Sequence, residues 1–186
     1  MANENDLSDL LNKIPVEDLA NQLGASTADV SNAVSRIVPG LLGGMAVNSQ
    51  ADGGAALEKA LEQHRREQVT YELSSVDQAD GKKIVEKVFG TAQGEAISSL
   101  SEAAGGQAAS LVPDMLPMIA PLIMEYLANS VLGSPGKAPR KGQGSVGDLL
   151  GGLLGGGKQG GFDLGTLLSG SGSWGSLLGS FLGRKR

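Results

Sequence analysis

One imidazole, no thiol and a scatter of carboxylates bound the chemistry open to this chain. His64 is the sole histidine. A lone imidazole can act as a general base, but it needs a nucleophile, an orienting carboxylate or an oxyanion donor set, and the sequence identifies none around it. Arg65 and Arg66 adjoin it, with Glu62 and Glu67 near, so a solvated face of a charged helix is expected. The lack of cysteine removes disulfides, thiolate metal sites and cysteine nucleophiles. Without His or Cys pairs, no metal-ligand spacing stands out. Three glycine-rich strings imitate nucleotide sites. Residues 152–158 have the spacing of a phosphate-binding loop, but Gln159 stands where the Mg²⁺-binding Ser or Thr belongs. Residues 142–147 and 170–175 have the spacing of the dinucleotide fingerprint. Each needs a preceding strand and a following helix, and glycine-rich text produces such matches by chance. The expectation is a non-enzymatic protein with no cofactor, no metal and no small-molecule substrate.

A second pattern points to nucleic acid. Residues 16–36 fit a helix-turn-helix template: Ala20 where helices approach closely, Gly24 at the turn, and Leu19, Leu23, Val30 and Ala33 at buried positions. The second helix would turn Ser26, Thr27, Ala28, Ser31 and Asn32 toward a major groove. Phosphate contacts need cations, and Arg36 is the only one nearby, opposed by Glu17, Asp18 and Asp29. A structural turn is the stronger expectation. Nucleic-acid binding through Ser26, Thr27, Asn32 and Arg36 is the alternative.

These residues must be positioned by helices, because no segment of the body alternates in the manner of a strand. The expected fold is all-α, a compact bundle of six to eight short helices with a helix-turn-helix-like N-terminal part. Leucines 7, 10 and 11 give residues 6–14 an apolar face. Pro15 starts a helix that Gly24 stops, and Ser26 or Thr27 caps a third that Pro39 interrupts or kinks. Residues 55–71 read as a charged amphipathic helix, and 74–81 as a polar connection. Helices follow over 82–89 and 93–104, ended by Gly90 and by Gly105-Gly106. Residues 108–132 form a long apolar segment, bent by Pro113, Pro117 and Pro121 on one face. Residues 111–132 are the only stretch expected to approach membrane length, but Asp114, Glu125 and the prolines favour a buried helix or broken helix pair. The first residues are polar and acidic, without the pattern of a signal peptide, so the cytoplasm is the expected location. A faint echo links Gly24…Pro39-Gly-Leu-Leu with Gly105…Pro121-Leu-Ile. It is either an old duplication or two apolar helices written alike.

Composition divides the chain into a body, residues 1–135, and a tail, residues 136–186. The body carries 18 acidic residues against 8 basic, a net of −10; the tail carries 2 against 7, a net of +5. The tail also holds 17 of the 29 glycines, which oppose stable packing and predict a mostly disordered, Gly/Leu-rich segment. Yet its apolar residues cluster. Leu149, Leu150, Leu153 and Leu154 fall at i, i+1, i+4 and i+5, and Leu177, Leu178, Phe181 and Leu182 repeat that spacing, one turn after Trp174. Each cluster makes a narrow stripe if helical, and interspersed glycines cost about 1 kcal/mol apiece, so such helices need an apolar surface to form on. A protein partner or self-association is the first reading of these stickers, with another tail or the acidic body as the surface they meet. An anionic membrane surface is the second, because Arg184-Lys185-Arg186 ends the chain. A disordered solubilising spacer stands against all of these readings.

Several blocks, in order, resemble a known family. Leu10-Leu11-Asn12-Lys13-Ile14-Pro15, Leu19-Ala20-Asn21-Gln22-Leu23-Gly24 and Val38-Pro39-Gly40-Leu41-Leu42-Gly43-Gly44-Met45 are similar to the opening of the bacterial domain-of-unknown-function family 937, which includes the YidB-like proteins. The helix ending in Phe89-Gly90 and the proline-bearing run of residues 116–124 resemble its second half. The resemblance covers about residues 5–133. It implies an all-helical bacterial protein and supplies no activity or catalytic residues.

Overall fold

Some helix ends follow local signals: side-chain caps at Ser26 and Asp77, and positive-φ glycines at Gly24, Gly90 and Gly105. The computed structural model describes residues 4–52, 54–65 and 71–132. Among them are seven α-helices and no strand: α1 Glu4–Lys13, α2 Val16–Leu23, α3 Thr27–Asp52, α4 Ala55–Gln63, α5 Gln78–Phe89, α6 Gln93–Ala104 and α7 Gly106–Val131. The all-α expectation holds for this body. The tail, residues 136–186, lies outside the described residues. So do its clusters, Leu149, Leu150, Leu153, Leu154, Trp174, Leu177, Leu178, Phe181 and Leu182, and its three glycine-rich strings.

Gly24 stops α2 at φ 62° and ψ 32°, the left-handed conformation that costs glycine nothing. Ser26 then caps α3, its Oγ accepting from the Asp29 amide at 3.1 Å. Asp77 caps α5 by accepting from the amides of Ala79 and Asp80.

Two helices are not short. α3 and α7 each run 26 residues. Pro39 does not divide α3. It withholds a donor from the Ser35 carbonyl, but Ser35 is exposed, so water can satisfy that oxygen. The same arrangement appears in both halves: a short helix, a positive-φ glycine (Gly24 or Gly105), then a 26-residue proline-bearing helix. The faint sequence echo is therefore present in the architecture.

α7 is the hub, in contact with α3, α4, α5 and α6. Over residues 118–128 almost every side chain is buried, including Met118, Ile119, Leu122, Ile123 and Leu127. A helix apolar all round belongs inside. α7 is one continuous helix despite Pro113, Pro117 and Pro121, so of the two expectations, a buried helix or a broken helix pair, the first holds. Each interior proline costs about 3 kcal/mol, whereas each fully buried large aliphatic side chain returns roughly 1.5–3 kcal/mol. Burying about two such side chains offsets one proline, and α7 buries nine Val, Leu, Ile and Met side chains between Val112 and Leu127. Among the described residues two stretches, rather than the one expected, are long and apolar enough to cross a membrane, Thr27–Ser49 at mean hydropathy 1.2 and Ala108–Ser130 at 1.4. Of these windows 56% and 78% are buried inside the body.

Glycines let the helices approach. Pro121 has no N–H to give the Pro117 carbonyl, and that oxygen faces Gly81 of α5. A Cβ at Gly81 would overlap the oxygen and lie 2.7 Å from its carbon. On α3, Gly40 admits Leu100 of α6, and Gly44 admits Val88 and Phe89 of α5. Gly43, between them, meets nothing within 4 Å.

This contrast sets a test. Gly81→Ala must push against backbone, so a loss of about 3 kcal/mol, the upper end of overpacking, is expected in urea denaturation. Gly43→Ala should stabilise by about 0.5–1 kcal/mol, because alanine is the better helix former in open space. A Gly81→Ala protein as stable as the parent would refute the close α5–α7 approach.

Candidate functional site

Three places hold side chains with chemical potential: the helix-turn-helix face, a groove beside it, and a polar corner around His64. On the face, α2, Gly24 and α3 reproduce the expected connection, with Leu19, Ala20, Val30 and Ala33 buried. Thr27 and Arg36 are exposed. Ser26 is exposed too, but its Oγ is engaged in the cap and donates to Asp29 Oδ2 at 2.6 Å. Asn32 is committed elsewhere. Its Nδ2 donates to the Ala104 carbonyl at 3.1 Å, at the C-terminus of α6. The last carbonyls of a helix lack internal donors, and Asn32 supplies one. Asn48 does the same for α5, donating to the Val88 carbonyl at 2.9 Å and the Lys87 carbonyl at 3.2 Å. Two α3 asparagines, sixteen residues apart, thus brace the ends of two other helices. Nothing local in the sequence marks Asn48 for this role.

The groove has a volume of about 570 Å³, between the α1–α2 corner and α3. Buried Ile14 and Val34 and half-buried Leu11 and Val16 form its apolar floor. Exposed Glu17 and Asp18 line it from α2, and Ser31 and Ser35 from α3.

The polar corner corrects the reading of His64. α4 ends at Gln63, well short of the predicted residue 71, and His64 is its C-terminal cap. The side chain is 16% exposed rather than solvated. Nδ1 lies 2.8 Å from the Ala60 carbonyl and Nε2 2.7 Å from Asp80 Oδ2. A carbonyl only accepts, so Nδ1 must be the donor there; a doubly protonated ring donates to both partners. Asp80 belongs to the first turn of α5, inside the stretch that the sequence presents as a polar connection. Gly81 invites that misreading, since it looks like a turn glycine and is a packing glycine. A cavity of about 40 Å³ sits at this corner, between Asp77, Asp80 and the α7 residues Pro121, Leu122 and Glu125. It has room for water but not for a metabolite. Among the described residues, no group of three or more His, Asp and Glu is placed to hold a metal ion.

Tyr71 completes this side of the molecule. The Lys13 ammonium lies 5.2 Å from its ring centroid, which ties α1 to the segment before α5. Burial, then the charge of Glu125 and the neighbouring Tyr126, pushes the Tyr71 hydroxyl up to about 12 from its ordinary 10.

A seven-helix body built on two long, proline-bearing core helices is the class that this geometry defines. The chain belongs to the bacterial family described as bacterial protein of unknown function (DUF937), whose model matches residues 5–130, from α1 almost to the end of α7. No curated protein and no solved structure matches the chain.

The corner yields two expectations. In a double-mutant cycle, His64→Ala and Asp80→Ala should show a coupling of about 0.5–1 kcal/mol, as befits a pair with the carboxylate partly exposed. Strict additivity would mean that the pair does not exist in solution. Tyr71 favours its neutral form in the fold, so its contribution to stability is complete below pH 10 and is lost as pH rises from 10 toward 12. Ultraviolet titration should show a phenolate step near pH 12 that is smaller in Tyr71→Phe; a difference between the two proteins centred near pH 10 would contradict the burial of Tyr71.

Proposed function

We propose that the chain is a non-enzymatic interaction module in which an acidic helical body carries a basic, adhesive Gly/Leu tail. The observation that carries this reading is the contrast in the sequence. A body of net −10 joins a tail of net +5 whose apolar residues fall in repeated i, i+1, i+4, i+5 clusters. An inert spacer has no use for Trp174, Leu177, Leu178, Phe181 and Leu182. The geometry of the body lends support. Its one imidazole is held by Ala60 and Asp80, an arrangement that stabilises a helix end. The partner is a protein, including a second copy of this chain, with an anionic membrane surface as the next target for the terminal cluster. We place the protein in the cytoplasm.

The second reading is nucleic-acid binding. The α2–Gly24–α3 connection favours it, with Thr27 and Arg36 exposed. Asn32 argues against it, because its amide braces α6. The acidic Glu17, Asp18 and Asp29 would also repel a phosphate backbone.

The full-length chain tests the tail directly. Changing Leu177, Leu178, Phe181 and Leu182 together to Ser removes side chains worth up to roughly 1.5–3 kcal/mol each when fully buried. Partial burial and chain ordering reduce that, but a net loss of about 1.4 kcal/mol still weakens association tenfold. Self-association in sedimentation, or retention of partners from the native cell, should fall while the melting temperature of the body holds. A serine variant equal to the parent in sedimentation, pulldown and liposome binding would leave the tail a spacer and end this reading.

A further inference from the structure

We propose that the groove between the α1–α2 corner and α3 is a receptor for a short basic, apolar peptide, and that its occupant is this chain's own residues 174–186. The inference rests on the adhesive reading of the tail and gives it an address. The groove matches the segment in three respects. Its volume, about 570 Å³, lies in the roughly 300–1,000 Å³ range of ligand pockets. Its floor of Leu11, Ile14, Val16 and Val34 suits a narrow stripe such as Leu177, Leu178, Phe181 and Leu182. Its exposed acids are Glu17 and Asp18, and the stripe is followed at once by Arg184-Lys185-Arg186. Acids in the first turn of α2 also complement the helix dipole. Yet among the described residues neither Glu17 nor Asp18 makes an ion pair, so both carboxylates remain open to a cation from the tail.

Chain length permits docking on the same molecule. The 41 residues from 133 to 173 can span up to roughly 135 Å. A body of this size has a radius of gyration of about 14 Å. Tethering sets an effective concentration on the order of mM, so docking in cis precedes docking on a second copy at ordinary protein concentrations. A groove filled in this way is closed to other basic peptides until the tail is drawn off by a stronger target. Tail and groove are then released together.

Trp174 is the only tryptophan, so the fluorescence of the full-length chain reports on this segment alone. A synthetic peptide of residues 174–186 supplies the undocked reference. At an effective concentration near mM, even a groove of ~1 mM affinity is about half filled, so acrylamide quenching should fall about twofold or more below the peptide's value. The emission should shift to the blue, and both effects should be independent of protein concentration and weakened by salt. Two full-length variants address the groove, Glu17→Lys with Asp18→Lys, and Ser31→Arg with Ser35→Arg. All four positions are exposed, and helical circular dichroism verifies the fold. Both variants should return quenching to the value of the peptide. Peptide-like quenching in the parent overturns the proposal, as does protection that neither variant relieves. Protection that grows with concentration would make a second copy the occupant, and protection seen only with anionic phosphatidylglycerol vesicles would make it a membrane; either result overturns docking in cis. An exposed Trp174 beside a serine variant that still loses its partners would defeat the groove and leave the adhesive tail standing.

Discussion

The contact between Gly81 and the Pro117 carbonyl governs the packing of this body. Proline at 121 strips that carbonyl of its helical donor, and glycine at 81 lets α5 come against it. A Cα–H group near such an oxygen is a weak but recurrent interaction, worth perhaps 0.5–1 kcal/mol, and here its main effect is on distance. Once α5 is seated, Asp80 falls within reach of His64, and the far end of α5 meets the amide of Asn48. The polar corner is thus a product of helix packing. A bulkier residue at 81 would displace both ends of α5 together.

α3 performs the complementary task from the other side. Gly40 and Gly44 open its surface to Leu100, Val88 and Phe89, while Asn32 and Asn48 donate to the ends of α6 and α5. Burial of the apolar contacts supplies most of the free energy, and the two amides fix the axial position of each helix. The residues that make α3 resemble a recognition helix are in part the ones that lock it to its neighbours. The groove beside it survives because its other wall is the short α1–α2 corner.

Much of this was legible in the residues. Gly24 as a stop, Ser26 as a cap, the span of residues 93–104 and the helical class all follow from local rules, and local structure obeys them. The misreadings share one cause. Residues 74–81 read as a polar connection and Pro39 as an interruption or kink, yet α5 begins at Gln78 and α3 and α7 each run on as one helix, outcomes set by surroundings distant in sequence. Ser35, which loses its helical donor to Pro39, is an exposed residue, and a large buried surface tolerates three prolines in α7. His64 was placed in solvent for the same reason: its partner Asp80 is sixteen residues away, and no periodicity announces the pair. The groove was equally invisible, because its floor joins residues of three helices. Composition alone set the tail apart.

The prolines of α7 also shape how the body comes apart. A segment with three interior prolines has little tendency to coil by itself, since each costs about 3 kcal/mol in an isolated helix. Its helical state exists only while α3, α5 and α6 surround it. Amide protons along the buried part of α7 should therefore have no private route to solvent, and their deuterium exchange would report global opening rather than fraying. A helix so dependent on its neighbours turns the body into a single cooperative unit.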